Sequence, residues 1–213
     1  MTALGRQVDL GLRLLDDQLL DAEEHRCGRV DDIQLRGGPG SPTEIEALLV
    51  GPGAWTGRLR KPFAYVVDGL GPDYMRRIPW TSVEKVGTAV HLSHTAQELG
   101  LESADGRNVE WVDAPPRGTI RVSELLRSRL VTSSGEDLGR IWSVRAERQT
   151  ELTDERVNEP WRVVGLVSGR TGWMERIGIS PEAEPDEAKN FTPWASVQAI
   201  TAGALTISDP RSR

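Results

Sequence analysis

Two segments of the chain, TEIEALLVG (43–51) and WRVVGLVSG (161–169), begin with apolar and polar residues in alternation and then become continuously apolar. That is the pattern of a strand that starts half-exposed and ends buried on both faces. Between positions 129 and 146, apolar Leu130 and Val131 precede a polar turn at Ser133-Ser134-Gly135, and apolar Leu138 and Ile141 follow on either side of Gly139. This predicts a hairpin. PWTSVEKVGTAVHLS (79–93) and PWASVQAITAGALTIS (193–208) each read as two short strands around a Gly or Ala turn. Only SELLRSR at 123–129 has a helical look, with Ser123 as the candidate N-cap.

These patterns occur twice. At an offset of 111, Leu14, Leu15, Leu19 and Leu20 fall on Leu125, Leu126, Leu130 and Val131, and Gly28-Arg29-Val30 falls on Gly139-Arg140-Ile141. At 118, Gly51, Trp55, Arg58 and Leu59 fall on Gly169, Trp173, Arg176 and Ile177; at 114, Pro79-Trp80, Ser82, Val83 and Val86 fall on Pro193-Trp194, Ser196, Val197 and Ile200. The offset changes only inside Gly-, Pro- and charge-rich stretches, as in a duplicated fold with variable loops. The copies span 8–93 and 119–207, and residues 94–118 form a linker with a short helix expected before Pro115-Pro116. In the hairpin turn Glu24 stands where the second copy has Gly135, so the first turn is expected to differ in geometry or to carry strain. Each copy thus reads as a small barrel of about five or six short strands and one helical turn. The expected fold is mainly β: two small β-barrels in tandem with a short, partly helical linker.

The order of these features resembles the PRC-barrel family, which includes the cytoplasmic domain of the photosynthetic reaction centre H subunit and the C-terminal domain of a ribosome maturation factor. The second copy carries the resemblance best, in SELLRSRLVTSSGEDLGRIWSV followed by TPWASVQAI. The first copy lacks the turn glycine and has Asp16-Asp17 where the second has Arg127-Ser128. The resemblance implies a barrel that docks on other macromolecules and supplies no catalytic residues to carry over.

Composition narrows the function. Hydrophobic content of 38% and charged content of 27% suit a globular chain, and no apolar run approaches the roughly 20 residues of a membrane span. Acids interrupt the first twenty residues where a signal peptide needs an apolar core, so a cytoplasmic location is expected. The single cysteine, Cys27, excludes an internal disulfide and reads as a core thiol. A net charge of −6 repels nucleic acid on average, leaving only a local basic patch to bind phosphate.

Few residues suggest chemistry. His91 and His94 diverge on a strand, and His25 lies in a turn, so no metal site is expected. GPGAWTG (51–57) misses the dinucleotide spacing, and the pairs Asp16-Asp17 and Asp31-Asp32 point opposite ways along a strand; no cofactor and no enzymatic activity are expected. The tryptophans say more. Trp80 and Trp194 are expected to close each barrel; Trp55 and Trp173, in equivalent Gly-rich loops, are either lids or docking anchors. Trp142 occupies the outward position held by Asp31 in the first copy and is the leading interface residue. Arg58, Arg60 and Lys61, joined by Arg76 and Arg77, form a candidate phosphate-contacting rim. The reading is a non-catalytic adaptor that binds a protein partner; the alternative is an RNA-associated or ribosome-assembly factor.

Overall fold

The computed structural model describes residues 7–51, 75–101, 119–147, 160–169, 190–201 and 203–209. The chain is mainly β, and its larger sheet curls into a half-barrel beside a second, four-stranded sheet. The first copy holds β1 (Gln7–Asp9), α1 (Leu10–Arg13), β2 (Gln18–Leu20), β3 (Arg26–Arg29), β4 (Asp32–Arg36), β5 (Glu44–Val50), β6 (Arg76–Pro79), β7 (Val83–Val86) and β8 (Val90–Leu92). The second holds β9 (Ile120–Arg121), α2 (Val122–Leu125), β10 (Arg129–Thr132), β11 (Asp137–Glu147), β12 (Arg162–Gly169), β13 (Phe191–Pro193), β14 (Val197–Thr201) and β15 (Ala204–Ile207). A single 3-10 turn follows each Pro-Trp step, at Trp80–Ser82 and Trp194–Ser196.

The internal repeat is a repeat of hydrogen bonding. Leu19 pairs with Gly28 and with Val90; Leu130, at the equivalent place, pairs with Gly139 and with Leu205. Val30 N–H donates to the Asp17 carbonyl and Ile141 N–H to the Ser128 carbonyl, the same bond 111 residues on. The repeated Gly-Arg step has its cause here. Gly28 and Gly139 both have positive φ (150° and 99°), and the β2–β3 and β10–β11 pairings each slip register beside them. A bulge needs a backbone that a side chain disfavours.

The hairpin turns also coincide. His25 N–H donates to the Asp21 carboxylate at 2.9 Å, and Glu136 N–H donates to the Thr132 hydroxyl at 2.9 Å. Glu24 takes φ 61° where Gly135 takes 88°, so the first copy keeps the geometry and carries the strain. Burial opposes ionisation of Asp21, but N–H donors from His25, Ala96 and Glu23 outweigh it and hold the carboxyl below its ordinary value. The helical expectation at 123–129 contracts to the one turn of α2, whose N-cap is Arg121 rather than Ser123. Of the linker in which a short helix is expected, the described part, up to residue 101, holds turns at 96–100 with a capping box, in which Thr95 N–H donates to Glu98 and Glu98 N–H to Thr95.

The copies do not stand side by side as separate sheets. An 11-stranded sheet runs through both, and its centre is an antiparallel contact between the starts of β5 and β12, with Glu44 opposite Arg162. Ile45 N–H donates to the Trp161 carbonyl at 3.0 Å and Val163 N–H to the Thr43 carbonyl at 2.7 Å, so each copy gives the other the same bond. The first strand of each copy is exchanged as well: β1 pairs with β11 of the second copy, and β9 pairs with β4 of the first. One hydrophobic core results, in which Leu10, Val30, Ile33 and Trp80 pack with Val122, Ile141, Val144 and Trp194.

Candidate functional site

The exchanged strands create a polar joint on the apolar core. Asp32, at the start of β4, is fully buried, and beyond Ile33 the partners of its carboxylate among the described residues come from the second copy. Its Oδ1 accepts from the N–H groups of Ile33 (2.8 Å) and Ser123 (3.1 Å); its Oδ2 accepts from the Ser123 hydroxyl (2.6 Å) and lies 3.0 Å from Arg121 Nε. Burial pushes the Asp32 carboxyl up, while Arg121 and the Ser123 and Ile33 donors pull it down. With both oxygens occupied and no exposed surface, Asp32 meets no substrate; it ties α2 to β4.

The equivalent place in the second copy solves the same problem from the other side. Asp9, which holds at α1 the N-cap position that Arg121 holds at α2, caps its own helix by accepting from Gly11 N–H (2.8 Å) and Leu12 N–H (3.1 Å). The residue corresponding to Asp32 is Ser143, whose buried hydroxyl has no hydrogen-bond partner among the described residues. Each one-turn helix thus has one carboxylate at its N-terminus, supplied in cis at α1 and across the joint at α2.

Two tryptophans complete the joint. Trp80 packs edge-on against Trp161 of the second copy, with ring centroids 5.2 Å apart, and the Trp194 indole N–H donates to the Thr43 hydroxyl of the first at 2.8 Å. Thr43 and Trp161 are themselves equivalent positions. Both Pro-Trp tryptophans, read in the sequence as closing their own barrels, therefore also reach across to the opposite copy.

The predicted interface residues fall into two sets. Trp55, Arg58, Arg60, Lys61 and Trp173 lie outside the described residues. Arg76, Arg77 and Trp142 are placed, and each is engaged by the chain itself. Arg76 donates through Nε (3.1 Å) and Nη2 (3.0 Å) to the Gly100 carbonyl. Arg77 donates to Gln34 (2.9 Å) and pairs with Glu46 (3.2 Å), which satisfies the buried Gln34 amide in turn. Trp142 is half-buried, and the β11–β12 register skips it, which makes it the extra residue of a bulge. Its indole N–H donates to the Gly169 carbonyl of its own copy at 3.0 Å. The equivalent Asp31 accepts from Gly51 N–H at 2.6 Å. A donor and an acceptor, at equivalent positions of the repeat, thus secure the two equivalent glycines Gly169 and Gly51.

The histidines make local contacts. His91 Nδ1 lies 3.0 Å from Glu24 and His94 Nδ1 lies 2.9 Å from the Ser93 hydroxyl. Among the described residues no group of three or more His, Cys, Asp or Glu is placed to hold a metal ion, and no helix is long and apolar enough to cross a membrane.

No protein-family model matches the chain, and no curated protein sequence is significantly similar to it. Of the residues that define the joint, the sequence pattern marks Asp32 only as half of an acid pair and Thr43 and Trp161 only as strand starts, and nothing in it marks Arg121. The one available signal was the pair of unlike residues, Asp32 and Ser143, at equivalent positions of otherwise matching apolar strands.

Proposed function

We propose that this protein is a non-catalytic adaptor built from two PRC-barrel-like copies, which presents a composite surface to a protein partner. The observation that carries this reading is the interlocking of the copies. Exchanged first strands, the shared β5–β12 centre and the Trp80–Trp161 and Trp194–Thr43 contacts hold two equivalent loop departures, Gly51 and Gly169, on one body. Each departure leads into a Gly-rich segment with one tryptophan, Trp55 or Trp173, the residue type that anchors interfaces most often. The repeated helical turn, bulged hairpin and Pro-Trp strand support the PRC-barrel likeness, because they recur in the same order and register in both copies.

The RNA-associated reading draws less support, since Arg76 and Arg77, two of the five residues of its basic rim, are committed to internal acceptors. Isotope-labelled cross-linking in native extract, comparing the full chain with its Trp55→Ala/Trp173→Ala variant, separates the two. The adaptor reading expects a defined protein cross-link that the variant loses. An RNA adduct that persists in the tryptophan variant and disappears on changing Arg58, Arg60 and Lys61 to glutamate would replace it.

A further inference from the structure

The two copies differ at their outer strands. In the first, the outermost strand beyond β8 is β7, Val83-Glu84-Lys85-Val86, with two charged residues at its centre. Its counterpart in the second is β14, Val197-Gln198-Ala199-Ile200-Thr201, the terminal strand of the larger sheet among the described residues. It is one residue longer and has no charge. Ala199 and Ile200 are half-buried and Gln198 and Thr201 exposed. Edge strands expose unpaired N–H and C=O groups, and charged residues are a common guard against their pairing. One fold, used twice in one chain, carries charges on this strand in the first copy and none in the second, where β14 has no second strand partner among the described residues.

We infer that β14 is a self-association edge, on which the β14 strand of a second copy of this chain pairs antiparallel about a two-fold axis centred on Ala199. The choice of a second copy follows from the strand itself. In that register Ala199 faces Ala199, Gln198 faces Ile200 and Val197 faces Thr201, so no like charges meet and a small residue occupies the crowded centre. The edge of β7 lacks this neutrality. The pairing also extends the way this protein already joins its halves, by strand addition across a two-fold relation. It does not depend on the adaptor reading. Because each chain carries a net charge of −6, long-range repulsion opposes the dimer and salt strengthens it.

Sedimentation equilibrium of the full chain tests this, with a monomer–dimer equilibrium expected at micromolar to tens of micromolar concentration and a tighter dimer at higher salt. Ala199→Lys and Ala199→Glu each place like charges face to face, and each is expected to weaken the dimer about fivefold or more. An equimolar mixture of the two is expected to restore association as a heterodimer, which a variant that merely misfolds cannot do. A wild-type chain that stays monomeric at 100-fold dilution steps up to about 0.1 mM overturns the inference. So does a dimer that both variants leave intact, or a mixture that associates no better than either variant alone.

Discussion

Replacing Asp32 by alanine tests whether the two copies form one cooperative body. The substitution removes a fully buried carboxylate, leaves three donors, the N–H groups of Ile33 and Ser123 and the Ser123 hydroxyl, without this acceptor, and takes the Asp32 charge away from the buried Arg121 guanidinium. Breaking a buried pair by removing one partner costs about 3–5 kcal/mol. Against a total stability of about 5–15 kcal/mol, this is a large fraction. With a urea m-value of about 2 kcal/mol/M, the midpoint should fall by roughly 1.5–2.5 M. Because Asp32 belongs to the first copy and Arg121 and Ser123 to the second, the unfolding should stay a single transition, with both copies lost together. The second copy suggests the repair. Asp32→Ser with Arg121→Asp reproduces locally the arrangement of Ser143 and Asp9, and should recover at least about half of the loss by capping α2 in cis. Equilibrium urea unfolding, followed by tryptophan fluorescence and far-ultraviolet circular dichroism, reads both. A loss under about 1 kcal/mol for Asp32→Ala would refute the reasoning that the carboxylate holds the joint. Two separate transitions, only one of them shifted, would refute the single body.

Trp194→Phe keeps an aromatic side chain but removes the bond to Thr43 and part of the buried indole; it should cost about 2 kcal/mol or more, and Thr43→Val should cost less in that background than alone, as a double-mutant cycle in urea would show. Glu24→Gly gives the first hairpin the residue that the second already has at a positive φ, and should raise stability by about 1 kcal/mol in the same assay. Burial raises the Asp17 carboxyl above its ordinary value despite the pull of Arg13, with the neighbouring Asp16 adding to the rise. The native state therefore holds that proton more tightly than the unfolded chain, and its contribution is present at low pH and lost as pH rises through the raised value. Asp17→Asn should accordingly compare more favourably with wild type at pH 7 than at pH 4, read as the difference in melting temperature at each pH.

Much of the local structure was legible before any coordinates. Strand alternation in 43–51 and 161–169, the hairpin at 129–146 and the recurring Gly-Arg and Pro-Trp steps are set by side-chain period, turn chemistry and backbone strain, which act over a few residues. Their agreement in register, Leu19 with Gly28 and Leu130 with Gly139, follows from the same short-range causes. Even the strained turn at Glu24 could be anticipated, because only one residue had to be compared with its counterpart.

Which sheet each first strand joins was decided by the tertiary structure alone. The two copies offer β1 and β9 nearly the same edge, at β4 and at β11, so nothing in either strand distinguishes pairing at home from pairing across the joint. The exchange makes Asp32 a cross-joint acceptor, and Trp80 and Trp194 bridge the two copies as well as packing on their own. Within each copy, Trp142 and Asp31, an aromatic and an acid at one repeated position, do the same work. Each holds the equivalent glycine, one by donating to the Gly169 carbonyl and the other by accepting from the Gly51 N–H. A residue's face on a strand can be read from its neighbours in sequence. Its partner across a sheet depends on where the chain returns, and here two equivalent returns were open.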